Sequence, residues 1–182
     1  YCSYSKISKL LSLSDIESVC THWSILTREC DREFLATYKM IHQAVQFLAT
    51  TGKSLLPARF DDSHTSFTWD FNKRCFAGEW WHARRTFRLE FNPADLSLRL
   101  VSFGDQAIDS IQLPAKTKKE VYALLQHMLI AEGVTLHRLT NEMHYDLPEH
   151  EVCRGGKYRI HSQGLNEEVI KHYSNAFLVL NL

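Results

Sequence analysis

The sequence lacks most of the features that mark specialised classes of protein. Its five cysteines are an odd number and include no Cys-x-x-Cys pair, which argues against a zinc ribbon or a disulfide scaffold. The apolar run at residues 176–180 is far shorter than the roughly 20 residues of a membrane span. Internal repeats, low-complexity tracts and the Gly-x-Ser-x-Gly, Walker A and Rossmann glycine motifs are missing as well. We therefore expect an ordinary globular protein with no membrane segment.

The sequence also lacks an excess of positive or negative charge. The 21 Lys and Arg balance the 21 Asp and Glu, which argues against a dedicated nucleic-acid binder. The 182 residues are 45% hydrophobic and 23% charged, which suits one domain with a sizeable core. No secretory pattern opens the chain as given, and unpaired thiols are typical of reducing compartments. We therefore expect a cytoplasmic location.

Helical periodicity marks the first part of the chain. Ser14 and Glu17 have the spacing of a capping box, and apolar residues behind them recur at intervals of three and four. A second set recurs in the same way further along, and Gly52 is a natural helix end. We predict an N-terminal helical hairpin over residues 14–52, with a connection of two or three residues.

The period then changes from 3.6 to 2. Apolar and polar residues alternate in four runs, which cover residues 67–71, 87–91, 96–100 and 108–113. Turn signals at residues 92–95 and at Gly104 separate the later runs. We predict an antiparallel β-meander within residues 64–113.

Helical spacing returns after the meander. Thr117 and Glu120 form a second capping box, which predicts a helix over residues 117–132. The remaining predicted elements are a fifth strand at residues 134–139, an irregular segment completing residues 134–164, and a C-terminal helix over 166–181 capped by Asn166.

These elements together predict an α+β fold in one domain spanning residues 1–182. The sheet has four to five strands, and the helices pack on one of its faces. The alternation gives the opposite face a polar set of residues, namely Thr86, Arg88, Glu90, Ser97 and Arg99.

Residues 72–85 form the first candidate site, a connection much longer than an ordinary hairpin loop. Its basic and aromatic side chains suit an anion or a ring, through ion pairing and stacking. Burial of the aromatic rings beneath the sheet is the structural alternative. The candidate ligand-binding residues are Trp80, Trp81, His82, Arg84 and Arg85.

Histidines and acidic residues supply the second candidate. His64, Glu142 and His161 are candidate catalytic residues, because imidazole and carboxylate groups serve as acid–base pairs. A stretch of potential metal-ligand types lacks the spacing of a known metal motif, so no metal and no cofactor are predicted. That stretch consists of Glu142, His144, Asp146, Glu149, His150, Glu151 and Cys153.

Several short motifs share their order with a known pattern over about residues 52–177. They are Gly52-Lys53, His64, residues 87–91, Asp95, Tyr122, Glu142, Leu147-Pro148 and His161. In this order the chain resembles an uncharacterised bacterial family of unknown function. The chain departs from that pattern at Leu96, where the family tends to have His. The resemblance implies the α+β order of elements and implies no activity.

The leading functional hypothesis is a cytoplasmic binding domain without catalysis. Its ligand is a small anionic or aromatic molecule, or a partner protein. An enzyme using the His and Glu candidates is one alternative, and nucleic-acid binding through residues 72–88 is another. Homo-oligomerisation is left open.

Overall fold

The computed structural model describes residues 13–135, 139–141, 143 and 145–181. Short 3-10 turns occur at Ser63–Thr65 and Glu151–Arg154. The helices are Leu13–His22 (α1), Arg32–Leu55 (α2), Lys118–Ala131 (α3) and Gln163–Leu180 (α4). The strands are Phe67–Asp70 (β1), Cys75–Gly78 (β2), Trp81–His82 (β3), Thr86–Asn92 (β4), Ser97–Ser102 (β5) and Ala107–Gln112 (β6).

The six strands form one antiparallel sheet in the order β1-β2-β4-β5-β6, with β3 pairing on β4. Residues opposite one another across a ladder share a face, so the register defines an apolar row across the sheet. This row contains Trp69, Phe76, Phe91, Leu98 and Ile111, all of which are buried. The neighbouring row on the other face contains Ala77, Glu90 and Arg99.

Helices α2, α3 and α4 contribute to one hydrophobic core with the apolar row of the sheet. Helix α2 is the central element, because it contacts β2, β4 and α4 and is almost fully buried from Met40 to Gly52. At Gly52 even a Cβ atom would collide with the backbone carbonyl oxygen of His64. A larger residue there would push the turn at Ser63–Thr65 away from the helix.

Tyr173 of α4 lies where α2, α4 and the first hairpin meet. Its ring stacks on Tyr38 of α2 with centroids 5.5 Å apart and on Trp69 at 5.7 Å, and it meets Phe76 edge-on at 4.7 Å. Burial raises the pKa of its hydroxyl, and a hydrogen bond with Tyr38 raises it further. Aromatic contacts of this kind add stability beyond the area they bury.

The segment 23–31 between α1 and α2 is held against α4 by two buried polar side chains. Asn175 accepts from the Ser24 amide at 2.9 Å and donates to the Ser24 carbonyl at 2.8 Å. Glu168 accepts from the Thr27 amide at 2.8 Å and from the Thr27 hydroxyl at 2.7 Å. The same carboxylate pairs with Lys171 at 2.7 Å. This segment is longer than the predicted connection, and α1 contacts α4.

The predicted α+β class, the antiparallel sheet and the packing of helices on one face are confirmed. The capping box at Thr117 is present in full. Among the described residues, no helix combines the length and apolar character needed to cross a membrane.

Three local predictions are wrong. Residues 72–85 are not one loop, since they contain β2 and β3. Helix α4 is capped by Ser162, because Asn166 is buried inside the helix and donates to the Pro93 carbonyl at 2.6 Å. Residues 134, 135 and 139 belong to no strand, and the rest of the predicted fifth strand lies outside the described residues.

Replacing Tyr173 by Ala should lower the free energy of unfolding by about 3–5 kcal/mol, because it empties the junction between the helices and the sheet. The matched control is Phe103→Ala, which removes a ring that is 77% exposed and should change stability by less than about 0.5 kcal/mol. Urea unfolding followed by circular dichroism measures both. Equal losses would show that Tyr173 does not hold this junction.

Acid should weaken the hydrogen bonds by which Glu168 holds Thr27 against α4. Burial alone raises the pKa of this carboxyl, but the hydrogen bonds from Lys171 and Thr27 outweigh it and lower the pKa to about 2. A lowered folded-state pKa stabilises the protein above the unfolded value of 4.5. That stabilisation is lost as pH falls from about 4.5 to about 2. Glu168→Gln should therefore flatten this part of the stability–pH curve, and an unchanged curve would contradict the assignment.

Candidate functional site

Trp81, one of the candidate ligand-binding residues, belongs to the core. Its side chain is 6% exposed, and its ring meets Phe87 edge-on with centroids 4.8 Å apart. The adjacent strand β2 is buried at Cys75, Phe76 and Ala77. For Trp81 the alternative of burial beneath the sheet therefore applies, because the ring has almost no exposed surface for a ligand.

Arg84 and Arg85 hold the C-terminal end of α3. The Arg84 guanidinium donates to the Ala131 carbonyl at 3.1 Å, and its backbone amide donates to the Glu132 carbonyl at 3.3 Å. Arg85 forms a two-pronged ion pair with Glu132 at 2.7 and 2.8 Å. Cations stabilise this end of a helix, where carbonyl groups lack helical partners. His82 is exposed and its Nδ1 lies 3.0 Å from the Thr86 hydroxyl.

Trp80 lies on the polar face of the sheet, beneath the Arg88 guanidinium, which is 4.7 Å from the ring centroid. Arg88 also pairs with Glu90 at 2.6 Å. Lys73 reaches the same Glu90 at 3.0 Å and extends to Asp105 in the turn after β5. Ion pairs and a cation–π contact thus link the side chains on the polar face of the sheet to one another.

Cys75 lies beneath this network and is a poor nucleophile. Burial raises the pKa of its thiol to about 12, and the carboxylates of Glu90 and Asp70 contribute to the shift. A thiol needs a lowered pKa to react as thiolate near neutral pH.

The candidate catalytic histidines lie at opposite ends of α2. The carbonyl of His64 lies against Gly52, and its Nδ1 accepts from the Arg59 amide at 3.2 Å. His161 lies beside the N-terminal half, in a cleft that includes Lys39. The 13 residues from Lys39 to Gly52 span about 20 Å of helix, so the two imidazoles do not form one acid–base pair. Glu142 and His144 lie outside the described residues.

His161 instead belongs to a cleft of about 340 Å³ between α2 and residues 149–161. We call it the basic cleft, because four Arg and Lys side chains line it against two carboxylates. Its α2 side carries residues at helical positions i, i+3, i+4 and i+7, which share one face. Its lining consists of Arg32, Leu35, Ala36, Lys39, Glu149, His150, Glu151, Arg154, Arg159 and His161.

Three of the four cationic side chains in the basic cleft have no acidic partner in the part of the chain that the structure describes. Arg159 pairs with Glu151 at 3.0 Å. Arg32, Lys39 and Arg154 form no ion pair within the described residues, and Lys39 is half-buried. The described lining therefore has an excess of positive charge, because four cations face the carboxylates of Glu149 and Glu151.

A polar stripe on α2 fixes the chain that leads into the basic cleft. Gln43 donates to the Pro148 carbonyl at 2.9 Å, and Gln46 accepts from the Tyr145 hydroxyl at 2.9 Å. Further along, the Ser54 hydroxyl oxygen accepts from the Thr140 amide at 2.9 Å. Buried polar side chains need such partners, and the pairing holds Thr140, Tyr145 and Pro148 along the helix. Residues 149–161 are thereby directed to the N-terminal half of α2.

His150 caps the 3-10 turn that forms one wall of the cleft. Its Nδ1 accepts from the Val152 amide at 3.3 Å, which leaves the Nε2 hydrogen of the neutral ring free to donate. Burial lowers the pKa of His150; Glu151 opposes the shift, while His161, Arg159 and Lys39 add to it. The neutral imidazole is thus favoured, and the charge of the cleft comes from Arg and Lys.

An apolar groove of about 490 Å³ lies between residues 23–26 and the end of α4. No Lys, Arg, Asp or Glu is among its described lining residues, so it offers no fixed charge of the kind that the basic cleft carries. Among the described residues, no cluster of three His, Cys, Asp or Glu side chains is arranged to hold a metal ion. Of the surfaces described, the basic cleft carries the clearest chemical preference.

Comparison with protein-family models, curated proteins and solved structures finds no match to this chain. The resemblance to an uncharacterised bacterial family therefore stays a prediction. The class of protein defined by the structure is an α+β domain with a basic cleft beside its central helix.

Sequence reasoning identified His161 but missed the cations around it. Arg32 and Lys39 are seven residues apart, which places them on one face of α2, away from the apolar stripe. That spacing was a usable signal. The contribution of Arg154 and Arg159 was not visible, because it depends on how an irregular segment folds back on α2.

The two neighbouring tryptophans should respond differently to truncation. Trp81→Ala should lower the free energy of unfolding by about 3–5 kcal/mol, because it leaves a cavity beside Phe87. Trp80→Ala removes a contact with Arg88 at the surface and should cost about 1 kcal/mol. Thermal and urea unfolding of the two variants check this, and a larger loss for Trp80→Ala would overturn the assignment of Trp81 to the core.

Proposed function

We propose that this protein binds a small anionic ligand, with a phosphate or carboxylate group held in the basic cleft. The observation that carries this proposal is the convergence of Arg32, Lys39 and Arg154, which form no ion pair with any acidic residue that the structure describes. The leading hypothesis from the sequence allowed a small anionic or aromatic ligand or a partner protein, and it assigned the binding to Trp80, Trp81, His82, Arg84 and Arg85.

Electrostatics favours an anion here over an empty cleft. Like charges gathered in one concave site repel one another, and a half-buried ammonium such as that of Lys39 is partly deprived of water. A bound anion relieves both costs. An excess of one charge sign in a cleft also raises the local concentration of the opposite ion, and here four cations outnumber two carboxylates in the described lining.

The donor groups suit an oxyanion. Arg32 and Arg154 each offer a planar fork of N–H groups that can bind two oxygens at once, while Lys39 acts as a point charge. Arg32 is also the first residue of α2, where the positive end of the helix dipole adds to its charge. These groups approach one space from two different elements, which favours a compact anion.

The structure supports binding more than catalysis. His64 is at the far end of α2, and the Cys75 thiol is held in its neutral form by burial. No residue set in the described part of the cleft joins a nucleophile to a general base. The proposed ligand therefore needs recognition by charge and shape alone.

Isothermal titration with inorganic phosphate at low salt tests the proposal. The double variant Arg32→Gln/Lys39→Gln should bind phosphate about tenfold or more weakly, because it removes two charged donors. The matched control is Lys53→Gln/Arg59→Gln, which removes two cations near the opposite end of α2. Its affinity should stay within about twofold of the original protein, and thermal unfolding should verify that both variants fold. Absence of phosphate binding in the original protein, or equal weakening in both variants, would overturn the proposal.

A further inference from the structure

A second cleft of about 560 Å³ lies beside the N-terminus of α3. Lys118 and Lys119 line it, and neither forms an ion pair within the described part of the chain. No described acidic residue lines this cleft. Its remaining lining consists of Thr117, Tyr122, Asn141, Val152, Cys153 and Gly155.

The second cleft and the basic cleft lie on either side of one 3-10 turn, Glu151–Arg154. A 3-10 helix has three residues per turn, so residues three apart share a face. Glu151 and Arg154 face the basic cleft, whereas Val152 and Gly155 line the second cleft. Only the width of a single turn therefore separates the two clefts.

Backbone pairing holds the two clefts at a fixed separation. Thr117 forms an isolated antiparallel bridge with Lys157. The Ala115 amide donates to the Tyr158 carbonyl at 2.8 Å, and the Tyr158 amide donates to the Lys116 carbonyl at 2.8 Å. The next residue, Arg159, lies in the basic cleft, while Lys118 follows Thr117 into the second cleft. This backbone pairing thus connects the chain segments that carry cations of the two clefts.

We propose that the two clefts together bind an acidic peptide segment of a partner protein, which crosses the 3-10 turn in an extended conformation. This inference rests on the proposed function, since the basic cleft supplies half of the binding surface. An extended chain advances about 3.3 Å per residue, so a few acidic residues reach from one cleft to the other. Complementary charge steers such a partner and sets its register.

The surface fits an acidic peptide better than single-stranded nucleic acid. Nucleic-acid grooves combine basic residues with exposed aromatic rings on which bases stack. No Phe or Trp is among the described residues that line either cleft; Tyr122, which lines the second cleft, is 8% exposed, and its hydroxyl donates to Thr50 at 2.5 Å. Carboxylates spaced along a peptide need only the cations that both clefts provide.

Fluorescence anisotropy with a labelled peptide of alternating Asp and Glu tests this proposal on the full chain. Lys118→Gln/Lys119→Gln should weaken peptide binding about fivefold and leave the affinity for inorganic phosphate unchanged. Arg32→Gln/Lys39→Gln should weaken the binding of both ligands. Lys53→Gln/Arg59→Gln serves as the charge-matched control, and its affinity for both ligands should be unchanged.

The outcomes separate this proposal from the proposed function. If phosphate binds but the peptide does not, or if Lys118→Gln/Lys119→Gln binds the peptide normally, the peptide proposal fails and the anion site stands. If neither ligand binds, both fail. A single-stranded oligonucleotide of equal charge that binds more tightly than the peptide would contradict the partner class.

Discussion

Burial of α2 is the constraint on which the rest of this structure depends. From Met40 to Gly52 the helix is enclosed by the sheet, by α4 and by the chain that follows α3. Apolar residues on this stretch pack in the core, and its amides and hydroxyls must find partners because water is excluded. Gln43 Nε2 donates to the Pro148 carbonyl and Gln46 accepts from the Tyr145 hydroxyl, and Ser54, just beyond this stretch, accepts from the Thr140 amide. The same helix leaves its first turns open to solvent, and there the basic cleft forms.

The two faces of the sheet are stabilised by different interactions. One face is apolar and covered by helices, whereas the other carries Lys73, Arg88 and Glu90 and neutralises its own charge. Charged side chains that are paired in this way have few hydrogen-bonding groups free for a ligand. The cations of the basic cleft differ, since they lie together with few carboxylates. The proposed function rests on this contrast between paired cations and cations without an ion pair among the described residues, rather than on the number of basic residues.

The sequence predicted what depends on local periodicity and capping. The alternation of β4 and β5 and the capping box at Thr117 depend on neighbours within a few residues, and both were correct. The function of Arg84 and Arg85 was not predictable, because their partners belong to α3, 47 residues away. The basic cleft was missed for the same reason: an irregular segment brings Arg154 back to Arg32. Long-range contacts of polar side chains leave no periodic trace in a sequence.

The central claim is that an anion lies between α2 and the 3-10 turn of residues 151–154. The most direct test is a crystal of the protein soaked in tungstate, an electron-dense oxyanion whose position is located by anomalous scattering. The account predicts a tungsten peak in the basic cleft, with tungstate oxygens about 2.7–3.2 Å from side-chain nitrogen atoms of Arg32, Lys39 and Arg154. A tungstate bound only on the polar face of the sheet, or none bound in the basic cleft, would contradict it.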